Sequence, residues 1–427
     1  MQNRVQKKKK ISLTTMIFIA LLAGALAGVI INYLIPSNYV VDGIIVQGVF
    51  YIVGQGFIRL MRMLVVPLVF CSIVCGSMAV GDTKKLGSVG VKTLIFYLCT
   101  TALAITVALS IANIFNPGKG LDMSQIQVTS TVSETTQSMS MTETLLDIIP
   151  VNIFNSLSEG NMLQIIVFAL ILGVILANMG DRVDIVKNFF GQFNDIMMEM
   201  TMAVMKLAPI GVFCLIAKTF AEIGFEVFIP LLKYMFCVLL ALAVQCFVVY
   251  LGLLKIFSGL NPFIFIKNFF PVMAFAFSTS TSNATIPMNI DTLAEKMGVS
   301  KKISSFTIPL GATINMDGTS IMQGVAVVFT AQAFGIPLDM MDYLTVIGTA
   351  TLASIGTAGV PSVGLITLTM VFNSVGLPIE GIALIMGIDR ILDMTRTAVN
   401  ITGDAVCTTI VASWNKAVDR DVYYNRK

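Results

Sequence analysis

Six polar or charged side chains recur along one apolar stretch near the carboxyl end: Asp389, Asp393, Arg396, Thr397, Asn400 and Asp404. At about 100° per residue they fall within an arc of roughly 100°, so a helix would present them on one face. Charges inside apolar sequence are costly and are functional by default, although a structural ladder of ion pairs would produce part of the pattern. A guanidinium such as Arg396 takes a carboxylate through two parallel hydrogen bonds, and Asp393, three residues away, can take an ammonium. Together they fit an acidic amino acid.

A second group, Asn315, Asp317, Gly318 and Thr319, interrupts the preceding apolar stretch. Glycine lets the backbone unwind, and unwinding frees carbonyl oxygens. Carbonyls plus carboxylates are hard oxygen ligands suited to alkali cations. Asp317, Asp389, Asp393 and Asp404 set four negative charges against Arg390 and Arg396, and bound cations would restore the balance.

Two further apolar segments are broken, at residues 278–287 (Ser-Thr-Ser-Thr-Ser-Asn-Ala-Thr-Ile-Pro) and 354–364 (Ser-Ile-Gly-Thr-Ala-Gly-Val-Pro-Ser-Val-Gly). Backbone at membrane depth must bond internally or line a cavity, so each break predicts two half-helices meeting at a tip. The plainer reading is a continuous helix whose Ser and Thr bond back to their own carbonyls. Re-entrant hairpins, each followed by a full span, give the order expected of an inverted repeat with its site near the midplane. The flanks of the second hairpin place it on the outer side, as an external gate.

The elements that must position these groups are membrane helices. Of 427 residues, 56% are apolar and 12% charged, with a mean hydropathy of +0.87, far outside soluble composition. Spans are predicted at 11–35, 44–80, 87–115, 146–179, 188–217 and 227–257. Arg4 and the lysines at 7–10 precede a first apolar run too long for a cleaved signal, which predicts a retained helix with its amino end inside. Lys84, Lys85, Arg182, Lys187, Lys255, Lys267, Lys296, Lys301, Lys302 and the terminal basic residues then all fall inside, leaving chiefly Lys119 and Lys218 opposite. The Ser/Thr-rich residues 123–144 form an external linker. The absence of histidine removes histidine bases, nucleophile pairs and metal sites. The seven cysteines lie in or beside apolar segments and read as packing residues. A net charge of +3 split into short groups argues against a nucleic-acid partner.

Read in order, residues 282–287, 311–319, 354–364 and 389–404 resemble the glutamate/aspartate:cation symporter family, the dicarboxylate/amino-acid:cation symporters that include archaeal aspartate transporters and animal excitatory amino-acid transporters. The resemblance spans nearly the whole chain. It implies an all-α polytopic membrane protein of eight transmembrane helices plus two re-entrant helical hairpins, built as inverted repeats and working as an elevator. It divides the chain into a basic cytoplasmic amino terminus (1–10), helices 1 to 6 (11–257), a transport core (258–415) and a cytoplasmic tail (416–427). Helices 1, 2, 4 and 5 would be the scaffold, and helices 3 and 6 would move with the core. The resemblance further implies a homotrimer in the cell membrane, in contact with lipid.

Carried over residue by residue, it implies that Arg396 holds the substrate side-chain carboxylate, Asp393 the amine, and Asn400 with Thr319 the main-chain carboxylate. Ser282, Val360 and Gly364 would offer tip backbone, Thr397 would complete the pocket, and Asp389 would support the arginine. One sodium site would join Asp404 to carbonyls of Gly311, Asn315 and Asn400. A second would use Thr313, Met316, Ser354, Ile355 and Thr357, and a third Asn315 and Asp317 with Tyr97, Thr100 and Thr101. Two departures stand out. Relatives commonly carry a further arginine near the site where Ser280 or Met394 stands here, and Asn283 replaces a usual serine. The expectation is a non-enzymatic symporter of aspartate or glutamate coupled to Na+, with protons as the alternative ion. Neutral amino acids, cystine or C4-dicarboxylates are the alternative cargo. A channel and an intramembrane aspartyl protease built on Asp393 and Asp404 are the rival classes.

Overall fold

Apolar runs of about 20 residues can satisfy their backbone in hydrocarbon only by becoming helices. The computed structural model describes residues 13–81, 88–121, 149–224, 228–355 and 363–424. Among them every extended element is helical, and the only β-pairing is an isolated bridge between Val299 and Val418. Five stretches are long and apolar enough to cross a bilayer: Tyr39–Leu60, Val89–Phe115, Gln164–Met205, Phe228–Ser258 and Pro262–Thr279. The protein is an integral membrane protein. The predicted amino terminus and the 123–144 linker lie outside the described residues.

The first half contains α1 (Leu13–Leu34), a π-helical stretch (Tyr39–Phe50) running into α2 (Tyr51–Gly81), and α3 (Ser88–Phe115). There follow α4 (Ile153–Glu159), α5 (Met162–Met179), α6 (Asp184–Met205) and α7 (Ala208–Ile223). The region 146–179, predicted as one span, is split at Gly160, whose φ of 73° only glycine adopts readily. The predicted span 188–217 is also two helices. They part at Lys206 and Leu207, directly before α7, whose first turn carries Pro209, where a missing N–H is harmless. Next, α8 (Phe228–Ala243) continues through a second π-helical stretch (Val244–Tyr250) into α9 (Leu251–Ser258).

The second half is α10 (Pro262–Thr279), α11 (Ser282–Met297), α12 (Lys301–Ile314), α13 (Asp317–Ala333), α14 (Met340–Ser354), α15 (Val363–Ser374), α16 (Gly381–Trp414) and the short α17 (Arg420–Tyr423). Helix α16, with 34 residues, is about 51 Å long. Helix α13 is buried at every position but Gln332, and α3, α8, α14, α15 and α16 all pack against it. Such all-round burial places it at the centre. The end of the chain is docked: Asp419 N–H donates to Gly298 O (2.8 Å), Ser300 N–H to Ala417 O (3.0 Å) and Tyr423 OH to Asn261 O (2.9 Å). The expected cytoplasmic tail is therefore folded against the bases of α10 to α12 as far as residue 424.

Without a hydrophobic drive between helices in lipid, close packing depends on small residues. Helix α1 meets α7 through Gly24 and Gly28, four residues apart; a β-carbon on Gly24 would stand 2.8 Å from Phe213 O, and one on Gly28 2.6 Å from Ala217 O. Gly173 of α5 meets α2 in the same way. Of the cysteines, Cys71, Cys214, Cys237, Cys246 and Cys407 are buried packing residues, whereas Cys99 is exposed. Gly28→Val should force α1 off α7, at a cost of about 1–3 kcal/mol for overpacking. It should lower the thermal midpoint of the purified protein in detergent, while Gly191→Val, which meets nothing within 4 Å, should leave it close to wild type.

Candidate functional site

The charged face read from the sequence is a buried seam of α16. Asp389, Asp393, Arg396, Thr397, Asn400 and Asp404 are each no more than 6% exposed. Arg396 donates from Nη1 to Asp389 Oδ1 at 2.9 Å, and from Nη2 and Nε to Asp393 Oδ1 at 2.5 and 3.2 Å. The guanidinium thus lies between two carboxylates, one to either side. Thr397 Oγ1 is turned back to Asp393 O (2.8 Å). Gly364, in the first turn of α15, closes over this group: a β-carbon there would lie 3.2 Å from Arg396 Cζ and 3.0 Å from Thr319 Cγ2. The side chain of Arg390, and Thr357 and Val360 entirely, lie outside the described residues.

A second centre forms where α12 ends and α13 begins. The break is short: Asn315 (φ −89°, ψ 87°) and Met316 (φ −112°, ψ 41°) leave the helical region, and Asp317 resumes it. Opened backbone must find partners elsewhere, and α16 supplies them. Gly318 N–H donates to Asn400 Oδ1 (2.7 Å), and Asn315 Nδ2 donates to Asn400 O (3.1 Å) and Asp404 Oδ1 (2.8 Å). Met316 Sδ accepts from Asn400 Nδ2 at 3.3 Å. A side chain on Gly311 would collide with the Asp404 carboxylate and the Tyr97 hydroxyl, so its absence lets α12 approach both. Asn315 Oδ1 is buried without a hydrogen-bond partner among the described residues, while the Nδ2 of the same amide bonds two oxygens of α16.

Asp317 belongs to a third centre. Its Oδ1 accepts from Thr101 Oγ1 (2.5 Å), and its Oδ2 from Tyr250 OH (2.7 Å) and Gln245 Nε2 (3.0 Å). As the first residue of α13 it also lies at a positive helix end. The structure brings Thr101 to Asp317, sends Asn315 to Asp404, and points the Tyr97 hydroxyl to Thr307 O (3.3 Å). Thr100 Oγ1 bonds within its own turn. Thr313, Ser354 and Ile355 lie at helix ends with their bonds kept inside their own helices. The described residues hold no cluster of three acidic, histidine or cysteine side chains. The donors are single carboxylates, amides, hydroxyls and carbonyls, a set suited to hard monovalent cations.

Gln245 and Tyr250 escape sequence reasoning. On a regular helix residues five apart point about 140° away from each other, so no common face appears. The π-helical turn between Val244 and Tyr250 aligns them, as such turns do at functional positions.

At the break between α10 and α11, Ser280 takes a left-handed φ of 52° and its buried hydroxyl lacks a partner among the described residues. Ser282 opens α11 with no side-chain cap on that helix end, leaving N–H groups of the kind that favour carboxylates.

A sequence profile of the sodium:dicarboxylate symporter family matches residues 13–414. The chain is similar to the proton/sodium-glutamate symport protein of Bacillus caldotenax, with 40% identity over 95% of both chains. It is 36% identical to the proton/glutamate-aspartate symporter of Escherichia coli over 97% of this chain and 95% of that one. C4-dicarboxylate transport protein 1 of Ralstonia nicotianae is 33% identical over 86% of each.

Tyr250→Phe removes one of three donors to a buried carboxylate, a loss of about 1–3 kcal/mol. The variant should show a lower thermal midpoint in detergent; an unchanged midpoint would mean that Asp317 does not depend on this hydroxyl.

Proposed function

Because the chain belongs to the sodium:dicarboxylate symporter family, we propose that it is a secondary active symporter that takes up glutamate or aspartate on a gradient of Na+ or protons. The observation that carries this reading is the buried Arg396 held between Asp389 and Asp393. A substrate with both a carboxylate and an ammonium can exchange partners with this group. Its side-chain carboxylate takes over Nε and Nη2 of Arg396, its ammonium takes the released Asp393, and its main-chain carboxylate turns to Asn400 and Thr319, so each charge brought into the low-dielectric site meets a partner. A C4-dicarboxylate brings no ammonium to replace the contacts that Arg396 gives Asp393. That asymmetry favours the amino acid over the cargo named for the Ralstonia relative.

Thr397, Asn400, Thr319, Ser282 and Gly364 complete the proposed pocket. Asp404 with Asn315, Gly311 and Asn400 forms one proposed cation site, and Asp317 with Thr101 another, supported by the orphaned Asn315 Oδ1. The coupling ions are cargo, and a Na+ at either centre would offset a buried carboxylate that α16 and α13 otherwise leave uncompensated. In the proposed cycle the core of α10 to α16, with α3 and α8 to α9, slides as an elevator against α1, α2 and α4 to α7. The break at 280–281 acts as the tip of one re-entrant hairpin, and residues 354–364, of which 356–362 lie outside the described residues, as the tip of the other and the external gate. Three copies assemble in the cell membrane with both termini in the cytoplasm.

Arg396→Ala should abolish uptake of labelled glutamate and aspartate into proteoliposomes by at least a hundredfold, the scale of losing a paired, charge-assisted contact of about 3 kcal/mol. Uptake at the wild-type rate would reject the acidic-amino-acid reading, and preferred uptake of succinate by the wild type would shift it to C4-dicarboxylates.

Asp404→Asn and Asp317→Asn nearly preserve shape while removing one charge each. Both should raise the Na+ concentration for half-maximal uptake, and through reciprocal linkage weaken substrate binding. A wild-type Na+ response in both, with a proton gradient alone driving uptake, would assign the coupling to protons.

A further inference from the structure

Between α3, α9 and the last turn of α16 lies a cavity of about 360 Å³, open on the flank of the protein. Ile95, Phe96, Leu103, Leu253 and Phe257 line it, with Trp414 and Lys92 among them. The volume is in the range of small-molecule sites, roughly 300–1,000 Å³. Helix α3 begins near this cavity, at Ser88, and α9 and α16 finish near it, at Ser258 and Trp414. It therefore lies at a common end of three helices. Trp414 is 40% exposed and stands edge-on to Phe257, ring centres 5.6 Å apart. Tryptophan and lysine at helix ends mark the level where hydrocarbon meets headgroups. Lys92 is half-buried, and no carboxylate among the described residues pairs with it.

We propose that this cavity binds an anionic phospholipid, with one acyl chain against its apolar wall and the phosphate paired with Lys92. The wall offers a hydrocarbon chain aliphatic and aromatic contact and almost no polar atoms to compete for. Lysine is a compact point charge that suits a phosphate, and basic side chains near the bilayer surface attract anionic lipid. A zwitterionic headgroup would bring its own cation towards Lys92 and lose that attraction. Thr100 forms part of the same wall. Its carbonyl accepts from Gln245 at 3.4 Å, and its neighbour Thr101 holds Asp317, so the lipid would rest on the turn that carries the third centre.

Trp414 is the single tryptophan of the sequence, so its fluorescence reports on this cavity alone. The full-length protein is reconstituted in phosphatidylcholine vesicles with a rising fraction of brominated lipid, either phosphatidylglycerol or phosphatidylcholine. Brominated phosphatidylglycerol should reach half-maximal quenching at about fivefold lower mole fraction, the factor expected for one basic side chain near the surface. Lys92→Gln should abolish the difference and Lys92→Arg should keep it. Equal quenching by the two lipids in the wild type, or a preference for phosphatidylglycerol that survives Lys92→Gln, would overturn the assignment.

Discussion

Opened backbone inside a membrane survives only where protein, not lipid, completes its hydrogen bonds. The gap between α12 and α13 depends on this. Asn400 is its keystone, accepting from Gly318 through its side chain and from Asn315 through its carbonyl. Because the partners come from α16, the break can sit at the centre of the molecule, where α13 is buried on all sides. The same contact fixes the register of α16 against α12 and α13, and with it the positions of Asp404 and Arg396. One amide therefore couples the Asp404 centre to the charged seam.

The second constraint is charge. Taking ions out of water costs several kcal/mol each even after relaxation, and only good pairing recovers it. Arg396 meets the constraint with two carboxylates, Asp389 and Asp393, on its own helix. Asp317 meets it differently, with three neutral donors from α3 and the π-helical turn of the α8 to α9 rod. Neutral donors solvate a charge without cancelling it. The seam therefore suits exchange of ion-pair partners, whereas Asp317 and Asp404 suit a cation that arrives and leaves.

Much of this was legible in the sequence because apolar surroundings make polar residues conspicuous. The α16 face follows from helical periodicity, and the hydrogen bonds of Arg396 realise it. The interruption at Asn315 and the break at Ser280 announce themselves as polar gaps in apolar runs, whereas residues 356–362 of the third gap lie outside the described residues. What failed to show depends on departures from regular geometry. Gln245 and Tyr250 align only through a π-turn. Pro209 is compatible with a helix start, so it did not signal that the span before it had ended at Lys206. The grouping of Asn315 with Asp404, and of Asp317 with Thr101, follows from the family resemblance and not from periodicity, because it is set by which side of a two-residue break each side chain leaves.

The docked carboxyl end has a practical consequence. Gly298, at φ 64°, lets the chain pass so close to Asp419 that any side chain there would strike its carbonyl, and the backbone bonds on either side weld the end of the polypeptide to the foot of α11. A fluorophore or spin label fixed near Tyr423 would then travel with that block as a rigid passenger. Paired with a second label on α1, it would turn any relative displacement of the two halves into a distance that spectroscopy can follow in a working membrane.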